Sequence, residues 1–180
     1  NFIAIAKQNQ VNLLIDVSQK RTQRKVIGDF EKLVQVVINL ISNAIKNVEP
    51  GIGRITVRLK ESATHICVEI EDNGIGIDPK FHDQIFEKFK QVDNPNRKIE
   101  SSGLGLSISK KIVEHLQGSI HVQSSLGQGA LFLIKLPFDS FILTSSLKVF
   151  LLNSLTFDRL YPYSKKLDLY LSIYSFSLII

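Results

Sequence analysis

Sulfur is nearly absent from this 180-residue chain, which has one cysteine, Cys67, and no methionine; tryptophan is missing as well. A lone thiol excludes an internal disulfide framework and any CxxC metal site. Cys67 lies in an alternating apolar run and is expected in the core, where free cysteine usually sits. No charge of one sign is concentrated anywhere: the formal net charge is +5, with Lys and Arg spread among acids rather than clustered beside aromatics. No nucleic-acid partner is expected from such a pattern. The opening stretch NFIAIAKQ has neither the basic region nor the apolar core of a secretory signal. Without an initiator methionine, the chain reads as a piece of something longer. Its composition is otherwise globular, 44% hydrophobic against 22% charged, enough for one domain with a proper core and an appendage.

The organising stretch is Leu33 to Asn47, LVQVVINLISNAIKN. At helical period, Leu33, Val36, Val37, Leu40, Ile41 and Ala44 form an apolar stripe, while Asn39, Asn43 and Lys46 share another side. Asn is a poor helix-interior residue because its amide competes with the backbone. Two of them one turn apart, with a lysine beyond, fit a Mg-nucleotide: amide oxygens help coordinate a hard cation and the ammonium reaches phosphate oxygens. A solvated helix face would carry the same residues. Asp29 is a fitting N-cap, with Glu31 in the first turn, and Glu49-Pro50-Gly51 ends the helix.

Before this helix, residues 1 to 9 read as the end of another helix and Val11 to Val17 as a short strand. After it, Arg54 to Lys60 and His65 to Glu71 alternate cleanly and are expected to pair as an antiparallel hairpin. One face of that sheet is apolar and the other charged, so helices should cover a single face. The second strand runs into Asp72-Asn73-Gly74-Ile75-Gly76-Ile77, where a carboxylate able to accept from an exocyclic amine precedes two glycines that permit close backbone approach. Asp78-Pro79 is expected to restart a helix leading to Phe86 and Phe89, whose spacing of three also suits core packing. Val92 to Ser102 is polar and aperiodic and reads as a loop. Ser102-Gly103-Leu104-Gly105-Leu106 then enters a helix patterned by Ile108, Ile112, Val113 and Leu116 and terminated by Gly118. Glycines before a helix N-terminus leave amides free to hold phosphate, although a tight loop-to-helix turn needs them equally. Ser119 to Ser124 and Ala130 to Leu136 complete the strands. The histidines at 65, 82, 115 and 121 have no metal spacing and no adjacent nucleophile.

Together NLISNAIK, DNGIGI, IFEKF, SGLGLSISKKIVEHLQG and GQGALFLIKLP, in this order, resemble the N, G1, F, G2 and G3 boxes of the ATP-binding catalytic domain of sensor histidine kinases, of the GHKL superfamily. The likeness covers about residues 11 to 138. It implies an α+β fold, a two-layer α/β sandwich (the Bergerat fold) with a mixed five-stranded sheet and three helices on one face. It implies ATP and Mg²⁺ as cofactors, with Asn43, helped by Asn39, holding the metal and Lys46 on the phosphates. Asp72 would bind the adenine amino group, and Gly74, Gly76 and Ile77 would shape the adenine pocket. Phe86 would anchor a lid formed by Val92 to Ser101, and Ser102, Gly103, Leu104, Gly105 and Leu106 would present amides to the phosphates.

The resemblance further implies a cytoplasmic domain, with a membrane-bound sensor as one setting, that donates the γ-phosphoryl of ATP to a histidine. That histidine belongs to a dimerisation domain of the same protein, and a response regulator receives the phosphoryl downstream in a homodimeric assembly. None of the four histidines here matches the phosphoacceptor motif, so residues 1 to 10 would be only the exit of the dimerisation helix. Hydrolytic members of the superfamily carry a glutamate one turn before the metal-binding Asn. Here that position is Asn39, which favours transfer over hydrolysis; the alternatives are a nucleotide-binding module without transfer and a GHKL-type ATPase. Ser101 stands where the G2 box has its first glycine, and Asn47 replaces an aromatic. Residues 139 to 180 have no counterpart in the family; their apolar runs are broken by Lys148 or too short to span a bilayer confidently. They read as a poorly ordered or non-native extension, with a membrane anchor as the alternative.

Overall fold

The computed structural model describes residues 2–17, 29–62, 64–90 and 103–138. The expected lid, Ser101, Ser102, the basic connection after Val17 and the tail from 139 lie outside the described residues. In chain order the elements are α1 (Phe2–Gln8), β1 (Asn12–Asp16), α2 (Phe30–Asn47), β2 (Arg54–Glu61), β3 (His65–Asp72), α3 (Gly105–His115), β4 (Ser119–Ser124) and β5 (Ala130–Pro137). The five strands form one mixed sheet in the order β1-β2-β3-β5-β4. β1 runs parallel to β2, and every other pairing is antiparallel.

Alternation sets the two faces of this sheet. Ile55, Val57 and Leu59 of β2, Ile66, Val68 and Ile70 of β3, and Phe132, Ile134 and Leu136 of β5 point into the core. The whole apolar stripe of α2 is buried against them, Val36, Val37 and Leu40 completely. Each such side chain contributes about 1.5–3 kcal/mol by leaving water. Asp29 caps α2 as expected, its carboxylate accepting from the Lys32 N–H at 3.2 Å. On the far face, Arg58 pairs with Glu71 and Lys60 with Glu69. Helices therefore cover one face: α2 and α3 pack side by side, and seven-residue α1 adds Ala6 to the same core.

Four expectations are corrected. Residues 78–89 form no α-helix but two 3₁₀ turns, Pro79–Phe81 and Gln84–Phe86. Ile85 is buried there and Phe81 and Phe86 pack against the core, while Phe89 adopts φ 60° and is 72% exposed. On α3 the expected stripe holds at Ile112, Val113 and Leu116 but fails at its start, where Ile108 is 43% exposed while Ser107 and Ser109 are buried. The left-handed residue ending α3 is Gln117, φ 57°, not Gly118. Gly118 instead lies so close to β5 that an added Cβ would meet the Lys135 carbonyl at 2.5 Å. Cys67 is half-buried on the charged sheet face, since strand period puts it opposite its buried neighbours Ile66 and Val68. Burial raises its thiol pKa, with Lys135 opposing.

Candidate functional site

Asn39, Asn43 and Lys46 do share a side of α2: the two carboxamides are half-buried and the ammonium is exposed. Asn39 faces α3. Its Nδ2 donates to Ser109 Oγ at 2.9 Å. Its Oδ1 lies against Gly105, where an added Cβ would stand 2.3 Å away. The first turn of α3 thus rests on the polar row of α2, an approach that any larger residue at 105 would block. Asn43 has no side-chain partner among the described residues; its carbonyl accepts from Asn47 Nδ2 at 2.7 Å.

α3 begins without a side-chain cap, so the amides of its first turn have no partner within the helix. Ser107 Oγ donates to the Leu104 carbonyl at 2.9 Å, fixing the turn. Gly103 is left-handed, φ 66°, and its carbonyl accepts from the Phe89 N–H at 3.0 Å. Leu104, Gly105 and Leu106 follow directly. Phe86 contacts Phe132 edge-on at 6.4 Å, and the Lys110 ammonium lies 5.8 Å above its ring. Phe86 is therefore a packing residue on β5.

Asp72 closes β3 and is only 7% exposed. Its Oδ1 accepts from the N–H of Gly74 at 2.9 Å and of Ala130 at 3.3 Å. Desolvation raises its pKa, and these two bonds oppose the rise. Oδ2 takes neither of these bonds. The glycines after it approach the protein's own backbone. A Cβ on Gly74 would meet the Asn47 carbonyl at 2.2 Å, and one on Gly76, already at φ 70°, would meet the Ser125 carbonyl at 1.9 Å. That Asn47 carbonyl accepts from the Ile75 N–H at 3.1 Å. The loop is thereby tied to the end of α2, one turn beyond Asn43. Ile77 donates its N–H to Ser124 Oγ at 2.8 Å, and Ser124 Oγ donates to the Gly129 carbonyl at 2.5 Å.

Through these contacts the expected residues converge on three connected pieces: the α2 row, the α3 N-terminus and the Asp72 loop. Lys46 makes no described polar contact in this set. Two participants escaped sequence reading, Ser109 and Ser124, both polar residues inside apolar-patterned elements; only a buried position out of phase with the stripe could have flagged them. A cavity of about 540 Å³ is lined by Asp72, Ser124 and Gly129 together with Glu71, His82 and Gln123 among others. No residue of the α2 row or of α3 lines it.

The donor set is chemically specific. Neutral carboxamide oxygens suit a hard divalent cation shared with phosphate oxygens. Free amides at a helix N-terminus suit the phosphates themselves, and a buried carboxylate oxygen suits an amine donor. Asn39 and Asn43 can hold such a cation, whereas no cluster of three His, Cys, Asp or Glu exists among the described residues.

Residues 28–140 match the family described as histidine kinase-, DNA gyrase B- and HSP90-like ATPase. The chain belongs to this ATP-binding family, and its relatives are histidine kinases. The hybrid signal transduction histidine kinase A of Dictyostelium discoideum is 38% identical over 77% of this chain, which covers 7% of that protein. The sensor histidine kinase RppB of Synechocystis is 36% identical over 76% of this chain, which covers 30% of that protein. The chain thus spans less than a third of each of these relatives. Among solved structures, the mycobacterial sensor histidine kinase MprB aligns with a TM-score of 0.63 and 30% identity, over 77% of this chain and 90% of that one. Full-length ShkA in complex with AMPPNP aligns with a TM-score of 0.65 and 26% identity, over 77% of this chain and 28% of that one.

Proposed function

We propose that this chain is the catalytic half of a sensor kinase, binding Mg-ATP and donating the γ-phosphoryl to a histidine on a separate dimerisation domain of the same protein. The observation that carries the reading is the seating of Gly105 on the Asn39 carboxamide, which sets the free amides of α3 beside the polar row of α2. Asp72 Oδ2 accepts the exocyclic amine of the base. Gly74, Gly76 and Ile77 hold the base pocket in shape, and Phe86 anchors the segment leading to residues 91–102. Lys46 reaches the phosphates, as do the amides from 102 to 106. Magnesium, when bound to Asn43 and Asn39, would neutralise charge on the phosphate oxygens during transfer. Asn39 cannot take a proton from water, because an amide is no base at neutral pH. Transfer therefore depends on positioning an external acceptor, as phosphoryl transfer generally does.

The functional unit in this reading runs from residue 11 to 138. Residues 1–10 lead in from the dimerisation helix, and a response regulator takes the phosphoryl from the dimer's histidine in the cytoplasm. ShkA, solved with AMPPNP, supports the nucleotide assignment. No helix among the described residues is long and apolar enough to cross a membrane. The test is calorimetric titration with ATP, with and without Mg²⁺, followed by incubation with the histidine-bearing domain. Saturable Mg-ATP binding and acid-labile phosphate on that domain are expected. Binding without transfer would reduce the chain to a nucleotide-binding module, and steady ATP turnover by the chain alone would make it an ATPase.

A further inference from the structure

Asn39 would be an unreliable ligand if nothing fixed its carboxamide. A half-buried Asn on a helix can rotate its amide by half a turn and exchange oxygen for nitrogen at nearly the same volume. A metal site tolerates only one of these states. In this fold one edge of the amide is taken by Ser109 Oγ at 2.9 Å. The other edge lies against Gly105 at the start of α3. Ser109 is 1% exposed, so no water competes for its oxygen. It belongs to α3 and is seventy residues distant in sequence, yet it touches a residue of the α2 row directly.

Building on the nucleotide reading above, we propose that Ser109 is a positioning residue for the metal: its buried hydroxyl accepts the Asn39 amide N–H and so turns the Asn39 oxygen toward the cation at the α3 N-terminus. A cation on Oδ1 leaves the N–H on the opposite edge, where the serine oxygen accepts it at 2.9 Å. One amide orientation satisfies both contacts, and the bond to Ser109 holds the carboxamide in it. Ser109 touches neither nucleotide nor metal and acts only through Asn39. Outer-shell partners of this kind typically contribute 10–100-fold to metal affinity.

The experiment compares dissociation constants for ATP in excess Mg²⁺ and in EDTA, with adenosine as a third probe that needs no metal. Ser109→Ala is expected to lose about tenfold of the Mg²⁺-dependent gain in ATP affinity, with adenosine affinity unchanged. Ser109→Cys, nearer the native volume with a weak sulfur acceptor, should follow Ser109→Ala and carries the test if the alanine variant does not fold. Ser109→Thr keeps the hydroxyl and should retain the gain. In the nucleotide-free protein, the Asn39 side-chain amide resonances should exchange with solvent faster in Ser109→Ala than in Ser109→Thr. A wild-type metal-dependent gain in both Ser109→Ala and Ser109→Cys overturns the proposal, and so does an equal loss in Ser109→Thr, which would mark a purely packing role. Absence of any Mg²⁺-dependent gain in the wild-type chain would remove the nucleotide reading itself.

Discussion

Replacing Asp72 with asparagine separates the two roles this carboxyl has, one in the fold and one in binding. Oδ1 accepts from the Gly74 and Ala130 amides. An Asn oxygen can keep both bonds, which leaves an NH₂ group where Oδ2 would meet the amine of the base. One charge-assisted hydrogen bond is lost and two donors face each other. A hydrogen bond to a charged group is worth about 1.5–3 kcal/mol, so Mg-ATP affinity should fall roughly 10- to 150-fold. The fold should respond in the opposite sense. Burial holds this carboxyl above its ordinary value of 3.8, so the native state disfavours the ionised form. Its contribution to stability is complete below that ordinary value and is lost as pH rises through the raised folded value. Above that folded value the wild type carries a buried charge that the amide variant lacks.

Asp72→Asn should accordingly gain melting temperature relative to wild type as pH rises from 3.8 through the raised folded value, with the difference closing as the solution is acidified below 3.8. Thermal melts across pH, paired with Mg-ATP titration calorimetry, read both effects on the same samples. Unchanged affinity would show that Asp72 does not meet the base. A difference that fails to grow as pH rises would show that burial is not what raises the carboxyl's pKa.

Asn43→Ala should abolish the Mg²⁺-dependent part of ATP affinity while leaving metal-free binding in place, measured by the same titrations. Gly74→Ala drives a Cβ to within 2.2 Å of the Asn47 carbonyl, and the forced separation of β3 from the end of α2 should cost about 1–3 kcal/mol in urea unfolding. Phe86→Leu removes the edge-on contact with Phe132 and should cost about 1 kcal/mol, seen as a lower urea midpoint with an unaltered slope. Gln117→Gly relieves a left-handed residue at the end of α3 and should stabilise the chain by roughly 0.5–1 kcal/mol, raising its melting temperature with no change in nucleotide affinity.

The long helix α2 was legible because one stripe of six apolar residues coincides with one buried face, and its polar row follows from the same period. The β2–β3 hairpin was legible for the corresponding reason at period two, and so was the charged far face. α3 was read less well. Its N-terminus rests on a polar contact, so Ser107 and Ser109 take buried positions that a hydrophobic pattern assigns to Ile108. Residues 78–89 failed for another reason. Pro79 and an acidic start resemble a helix, yet Phe81, Ile85 and Phe86 are the residues that reach the core, and two short turns deliver them without a continuous helix. The polar row and the glycine loops could be listed from sequence. That Asn39 leans on α3 through a serine seventy residues away could not, because nothing local records it.

The glycines of the two loops lead to a different account of what those loops do. Read along the chain, they look like space left for a ligand. In the fold, Gly74 and Gly76 stand against the carbonyls of Asn47 and Ser125, and Gly105 stands against the Asn39 amide. The space they leave is filled by the protein. Their absent side chains bring the end of β3 onto α2, the loop onto the β4–β5 turn, and α3 onto the polar row. Asp72, the carboxamides and the α3 amides are placed by these approaches. An alanine at any of the three therefore acts first on the relative placement of two elements, and the loss of affinity follows from that displacement. Stability and binding should fall together in such variants, whereas Asp72→Asn should separate them.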